Sequence, residues 1–329
     1  MQHAEIVIIG GGPAGLAAGL SLVRNLRRVT ILDSNRPRHS ATLTAHGFLT
    51  RDGIAPSELR RIGREEFEAY EHANFHQAKA TSVRPLSAEE ARDQGFSDGI
   101  GFEVKASGVR GNPDVHLFTQ RVLVTAGLVE ELPAFASIRV FYGTALHSCV
   151  ECDGFEKSDA PLALIGETTD LFQRALLVGR FSTDLVVFTN GADTISDAEE
   201  AYLRSIDIPV ERREIDDLVG VQSEMTGVRL KDSTVIPRVG GFVRPRWHAP
   251  VEFLSEREIE RNDWGLLVVD ARGETSVQGL YAAGDIVPPG PRSLMIAAGA
   301  GAQTALRMNM DLIRATHHLG PVPNPRNSR

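Results

Sequence analysis

Only two cysteines occur in 329 residues, and they stand as one close pair, Cys149 and Cys152. So few exclude a disulfide framework as the basis of the fold, and a lone close pair suggests redox or metal chemistry instead. Positive charge is also in deficit. The 35 Lys and Arg face 43 Asp and Glu, a formal net charge of -8, and phosphate neutralisation needs a basic face that this balance does not supply. A nucleic-acid partner is therefore not expected, and the short basic runs at 24–28 and 244–246 read as solvated surface. Long apolar runs are missing as well. The one extended uncharged stretch, residues 6–23, contains Gly10, Gly11, Gly12, Gly15, Gly19 and Pro13 and follows Glu5 rather than a basic segment. It reads as folded structure, neither membrane helix nor signal peptide. With no targeting segment in view, a cytoplasmic location and no membrane association are expected.

What remains is the balance of a folded α/β protein, 42% hydrophobic and 24% charged, long enough for two domains. Residues 5–9 form an apolar strand that meets a glycine cluster and then an Ala- and Leu-rich helix. Residues 28–33 form a second strand ending on Asp33, which completes a βαβ unit. Residues 56–70 have helical spacing with Leu59, Ile62, Phe67 and Tyr70 on one face. The polar stretch 87–101 reads as an exposed hairpin loop, and 121–125 as a buried strand closed by Ala126 and Gly127. A smaller α/β copy follows: strand 161–166, helix 171–181, strand 184–189. Residues 237–241 read as the return to the first domain. Strands are expected at 265–270 and 279–283, a long helix at 293–314, and a loosely ordered tail from His317. The expected fold class is α/β, with two Rossmann-like three-layer domains: residues 1–130 and 239–329 form one, interrupted by residues 131–238.

Gly10-x-Gly12-x-x-Gly15 follows a strand and opens a helix, with Pro13 and Ala14 between the last two glycines. Gly10 permits the tight turn, Gly12 lets backbone approach a pyrophosphate, and Gly15 allows close helix–strand packing. Asp33 accepts hydrogen bonds from ribose hydroxyls, and the helix N-terminus favours phosphate. The arrangement predicts a dinucleotide site. Cys149-Val-Glu-Cys152-Asp153 leaves three readings open. Zinc has His147 nearby, but a closed site needs four ligands and there is no second cysteine pair. Buried inert thiols are the second reading, and a reversible disulfide the third.

The segment from 279 to Gly284 and Asp285, and the Thr125-Ala126-Gly127 triplet, resemble the FAD-dependent pyridine nucleotide-disulfide oxidoreductases. CVECDGF resembles the redox centre of the low-molecular-weight thioredoxin reductases, and Arg292-Ser293-Leu294 their segment closing over the flavin. The resemblance spans nearly the whole chain and implies FAD as cofactor, with Asp285 at its ribityl–phosphate part. It also implies that Cys152 exchanges electrons with the flavin, that Cys149 forms the mixed disulfide with substrate, and that Asp153 handles the thiol proton. A homodimer is implied too.

The sequence departs from that family where NADPH binds. Only the first glycine of a second fingerprint is present, in Gly166-Glu167-Thr168-Thr169-Asp170. Glu167 and Asp170 bring negative charge, and no arginine follows the next strand at 189–193. The expectation is an enzyme that does not use NADPH. The chain resembles the ferredoxin- and diflavin-linked thioredoxin reductases in this respect. In residues 33–38, 46–49, 56–60 and 186–191 it resembles the gliotoxin and holomycin dithiol oxidases. The substrate is then a small dithiol or a thioredoxin-like protein, and the electron partner oxygen or ferredoxin, with the oxidase favoured. A flavin-binding redox sensor without turnover is the reading from another class.

Overall fold

The computed structural model describes residues 2–254, 259–288 and 290–319. It divides into two units, one formed by residues 1–38, 57–129 and 248–329, the other by 39–56 and 130–247.

The first unit is built on a seven-stranded sheet. β1 (Gln2–Ile9) lies between β2 (Val29–Leu32) and β6 (Val115–Val124), parallel to both, and β3 (Ala73–His76) continues beyond β2. β2 is buried at every position, as a parallel strand covered on both faces must be. The far edge of β6 is shared in succession. β5 (Phe102–Gly108), itself paired to β4 (Ala78–Pro85), takes residues 115–119 antiparallel, and the last strand, Leu280–Ala282, takes 122–124 in parallel. α1 (Pro13–Val23) and the long α8 (Leu294–Thr316) pack on each other and share one apolar core with Phe67 of α2 (Pro56–Glu68). At their contact a Cβ on Gly301 would lie 2.0 Å from the Ala14 carbonyl oxygen, so only glycine fits.

Two expectations for this unit are corrected. Residues 87–101 are not a plain hairpin loop, because they hold α3 (Ala88–Asp93). Ser87 and Glu90 form a reciprocal capping box that starts a helix too short to show apolar periodicity. Residues 265–270 form no strand, only a single bridge from Leu267 to Arg261. Asn262 takes up this stretch in a turn, its Oδ1 accepting from the Leu266 N–H at 2.9 Å, with Gly265 at φ +73. The remainder of the tail, residues 320–329, lies outside the described residues. Among the described residues no helix is long and apolar enough to cross a membrane.

In the second unit a five-stranded parallel sheet has the order β11 (Val210–Glu211), β10 (Leu185–Phe188), β9 (Leu162–Ile165), β15 (Gly240–Val243), β8 (Leu146–His147). α6 (Leu171–Val178) joins β9 to β10, and α7 (Asp197–Ser205) joins β10 to β11. Beside it run three antiparallel strands, β12 (Ile215–Val221), β13 (Glu224–Leu230) and β14 (Val235–Pro237). The expected return to the first domain at 237–241 is displaced. β15 pairs residue for residue with β9, and Gly241 sits so close to it that a Cβ would meet the Ala163 oxygen at 1.9 Å. The chain passes back only at Trp247 and His248. Residues 39–56 also join this unit: a Cβ on Gly143, at φ +90, would meet the Ala41 carbonyl oxygen at 2.1 Å.

Candidate functional site

In the first unit the separated sequence motifs converge at the C-terminal ends of β1, β6 and the last strand. Gly10 follows β1 at φ +112, and a Cβ there would lie 2.4 Å from the Thr125 oxygen and 3.1 Å from the Ala126 Cα. Thr125 in turn donates its hydroxyl to the Gly10 carbonyl at 2.8 Å. Gly15 has no room either, with the Gly10 oxygen 1.9 Å from where its Cβ would be. Gly284, at φ +82, faces Ala14, whose Cβ would be 3.0 Å away. Gly12 is different. It caps α1, whose first turn holds no acidic residue, Pro13 stands at the helix start, and a Cβ on Gly12 would meet nothing within 4 Å. A bare helix N-terminus facing open space, ringed by glycines fixed against backbone, is what a pyrophosphate requires.

Two carboxylates frame this cradle. Asp33, buried at the end of β2, accepts from Arg60 Nη2 of α2 at 2.6 Å, and Asn35 Oδ1 is 3.3 Å from the same nitrogen. Asp285 accepts from Arg38 Nη2 at 2.9 Å. A cavity of about 230 Å³ is lined by Gly284, Asp285, Arg292 and Ala297 among others. Ser293 caps α8, accepting from the Ile296 N–H, and Leu294 is the first residue of that helix. Gly127, at φ +66, has open space where a Cβ would be.

The cysteines lie in the second unit. Cys149 and Cys152 are bonded, S–S 2.02 Å, across the start of the one-turn helix α5 (Val150–Asp153). The glycine after Asp153 is forced: a Cβ on Gly154 would sit 2.6 Å from the Val150 oxygen and 2.8 Å from the Phe181 ring. Preceding the pair, Ser148 donates to Glu130 Oε1 at 3.2 Å, and the Tyr142 hydroxyl donates to Glu130 Oε2 at 2.5 Å. On the far side Arg174 of α6 reaches Glu151 at 3.5 Å. Asp153 Oδ1 lies 2.9 Å from His147 Nδ1, whose other ring nitrogen is 2.7 Å from the Thr144 carbonyl oxygen.

The same unit holds a cavity of about 550 Å³ beyond β9 and β10, lined by Glu167, Asn190, Glu214, Lys231, Arg244 and Arg246 among others. The turn after β9 sets Glu167 and Thr168 on its wall, with Asp170 behind them at the start of α6. Glu167 accepts from Asn190 at 2.7 Å and from Arg246 at 3.4 Å. Asp170, at the N-cap of α6, accepts from Thr168 at 2.6 Å and from Arg244 at 2.7 Å. Arginines therefore do reach this cavity, from the segment after β15. Reading only the end of the neighbouring strand could not reveal them.

Residues 5–72 match the family model for the FAD binding domain. A probable thioredoxin reductase of Arthroderma benhamiae is 27% identical over 191 residues, 57% of this chain but only 44% of that protein. HlmI superposes with a TM-score of 0.86 at 32% identity, covering 96% of this chain and 94% of its own. A candidate thioredoxin reductase, TrxB, from Bacillus anthracis superposes with a TM-score of 0.83 at 33% identity, over 95% of this chain and 99% of that one. The chain belongs to the thioredoxin reductase-like FAD flavoproteins.

As a member of that family it is an FAD-dependent oxidoreductase, and its nucleotide cradle suits the cofactor. The two α/β units are those of the family fold. Three residues beside these motifs make contacts of which their sequence positions give no sign. Arg38 and Arg60 look like surface arginines in a polar stretch, and only the fold brings them to Asp285 and Asp33. His147, in sequence, is at most a zinc ligand beside the cysteine pair. Its spacing from Asp153, across a turn whose geometry was unknown, gave no sign of their contact.

Proposed function

We propose that the protein is a dithiol oxidase that works without NADPH, passing electrons from a small dithiol through Cys149–Cys152 to FAD and on to oxygen. The observation that carries the reading is the pair of carboxylates, Glu167 and Asp170, at the turn where a nicotinamide dinucleotide would place its phosphates. Both are engaged by the cations of that cavity, Arg246 and Arg244. A phosphate entering here would meet two negative charges and would have to take the arginines from them. The segment 39–56, which contains residues 46–49 of those that resemble the dithiol oxidases, packs in the unit that carries the cysteines. Its His46 Nε2 lies 3.4 Å from Glu156, four residues past Cys152.

In this reading the residues of the cradle divide the cofactor between them. Gly10, Gly12, Pro13, Ala14 and Gly15 hold the pyrophosphate, and Asp33, steadied by Arg60, the adenosine ribose. Ala126 and Gly127 border the cradle, while Gly284 and Asp285 bind the ribityl–phosphate part and Arg292, Ser293 and Leu294 close over the ring. Bound FAD supplies a two-electron acceptor that oxygen can reoxidise. Cys149 takes the substrate sulfur, Cys152 is released as thiolate, and Asp153 manages the proton. The domain assignment follows: the discontinuous unit binds FAD and the inserted one carries the disulfide.

The test is an anaerobic absorbance titration of the yellow holoenzyme. NADPH is expected to leave the flavin oxidised, while dithiothreitol bleaches it. Bleaching by about one equivalent of NADPH would reject the reading in favour of a conventional reductase. Reduction by ferredoxin but not by dithiol would turn the arrow toward a ferredoxin-linked reductase. Cys152→Ser is expected to retain FAD and lose dithiol reduction altogether. Unchanged bleaching in that variant would remove Cys152 from the path. We also propose a homodimer, supported by the exposed stripe Leu306, Met310 and Ile313 on α8, spaced one helical face apart. Light scattering at micromolar concentration is expected to give twice the chain mass, and a monomer would refute it.

A further inference from the structure

We propose that His147 is a positioning residue for thiol exchange, sharing one transferable proton with Asp153. The inference rests on the reading that Cys149–Cys152 exchanges with a dithiol, and it deepens that reading by naming how the proton is stored.

His147 and Asp153 flank the cysteine pair, and both side chains are largely buried, at 11% and 13% exposure. His147 Nε2 is 2.7 Å from the Thr144 carbonyl oxygen. A carbonyl oxygen only accepts, so Nε2 carries a hydrogen. A neutral ring protonated at Nε2 presents a lone pair at Nδ1, and a carboxylate also presents lone pairs. Two lone pairs facing each other at 2.9 Å repel. The contact between Nδ1 and Asp153 Oδ1 therefore requires one more proton, either on the ring, giving imidazolium and carboxylate, or on Asp153, giving imidazole and carboxylic acid. In both forms the pair holds one transferable proton beside the disulfide. The Thr144 carbonyl that enforces this also accepts from Lys157 Nζ at 3.1 Å, so its direction is fixed from two sides.

The charged groups around the pair come from three elements. Lys157, from the turn after α5, faces Asp153 and Glu156. Burial lowers its pKa, and those two carboxylates oppose the shift. Glu156 meets His46 of the 39–56 segment, whose Nδ1 is 3.6 Å from Asp52. His147 itself comes from β8.

The chemistry balances with this one stored proton. A substrate thiolate attacks Cys149 Sγ, the S–S bond breaks, and Cys152 departs with the electron pair. The second substrate sulfur then attacks the first, closing the product disulfide and releasing Cys149 as a thiolate. Two electrons pass from substrate to protein, and the two substrate thiols give up two protons. The first thiol's proton leaves to solvent as the attacking thiolate forms. Asp153 delivers the stored proton to one leaving sulfur, and the pair recovers the proton of the second substrate thiol. The protein thus ends with one thiol, one thiolate and the pair recharged. Without His147 the contact that requires the extra proton is gone.

The test uses holoenzyme variants His147→Gln and Asp153→Asn and their double, followed by stopped-flow anaerobic reduction of the flavin with dithiothreitol across pH. Flavin content and thermal unfolding verify that each variant is folded. Asp153→Asn is the discriminating variant, because its amide can donate to a neutral Nδ1 and keep the contact while removing the acid. Both single variants are expected to slow reduction at least about tenfold, within the range of general acid–base effects. Both should lose the same limb of the pH profile, and the double variant should be no slower than Asp153→Asn. A His147→Gln enzyme that keeps the wild-type pH limb and is merely slower at every pH would overturn the proposal, as would additive losses in the double variant. Should dithiothreitol fail to reduce the wild-type enzyme, the exchange reading itself falls. The stored proton is then decided by imidazole ¹⁵N shifts of the oxidised protein. A protonated Nε2 with Nδ1 hydrogen-bonded to Asp153 supports it, and a bare Nε2 rejects it.

Discussion

Two strand–turn–helix units in this chain share one topology and have opposite interiors. After β1 the turn is emptied: glycine caps α1, no acid stands in its first turn, and the space beyond Gly12 is open. After β9 the turn is filled: Asp170 stands at the N-cap position of α6, its carboxylate bonded to Thr168 and Arg244 rather than to the helix. Glu167 follows the turn's one glycine and is held by Asn190 and Arg246. A helix N-terminus attracts negative charge from wherever it comes. In the first unit that charge is left for a ligand, and in the second the protein supplies it. The contrast teaches that the same strand–turn–helix frame can leave its helix N-terminus open or set the protein's own carboxylates beside it.

The largest expected effect breaks the first half of the comparison. Gly15→Ala would bring a methyl group within 1.9 Å of the Gly10 carbonyl oxygen, so backbone must move. The variant is expected to purify colourless and with a lowered unfolding temperature. Gly12→Ala meets no protein atom, so the apoprotein should unfold as wild type does while FAD affinity falls by about tenfold or more, roughly 1.4 kcal/mol. Isothermal titration with FAD and apoprotein unfolding together separate the two. If both variants fail alike, the open space at Gly12 is not the cofactor's.

A smaller effect sharpens the second half. Removing both carboxylates, Glu167→Ala with Asp170→Ala, frees Arg246 and Arg244 for a phosphate. NADPH affinity is expected to rise by about tenfold, since partly exposed charges are each worth about 1 kcal/mol or less. Fluorescence titration of NADPH with the holoenzyme reads this directly. An unchanged affinity would mean that the second frame is closed by something other than charge.

The same contrast explains what was legible in the residues alone. Both βαβ frames, the long C-terminal helix and the first glycine fingerprint could be read, because buried parallel strands and obligatory glycines leave periodic or fixed marks. Gly10 and Gly15 are demanded by backbone a few residues or one strand away, and their spacing carries that demand. The passage back at Trp247 could not be read, since β15, Gly240–Val243, is buried at every position, as β2 of the first unit and β9 and β10 of the second are, and only its pairing with β9 decides its place. The partners of the charged groups were hidden for a similar reason. Arg60 reaches Asp33 across 27 residues, and Arg244 reaches Asp170 across 74. Long-range pairing of polar side chains leaves no local pattern.

The smallest expected effect concerns Asp170 alone and tests whether the filled turn stabilises its own unit. Burial would raise the pKa of this carboxyl, but the Thr168 hydroxyl and the Arg244 guanidinium outweigh burial and hold it below the ordinary carboxylate range. The folded state then binds fewer protons than the unfolded chain, whose aspartates titrate near about 3.9, so stability from this group rises with pH through that interval. It is fully present above the unfolded value and is lost as pH falls through the lower, folded one. Asp170 is 36% exposed, so solvent screening limits the contribution to about 1 kcal/mol or less. Asp170→Asn should therefore lower the urea midpoint of the inserted unit slightly at neutral pH, with the difference from wild type shrinking toward zero on acidification. A difference that is unchanged at low pH would show that Asp170 acts by shape at the helix cap. Its charge would then not be what fills the place of a phosphate.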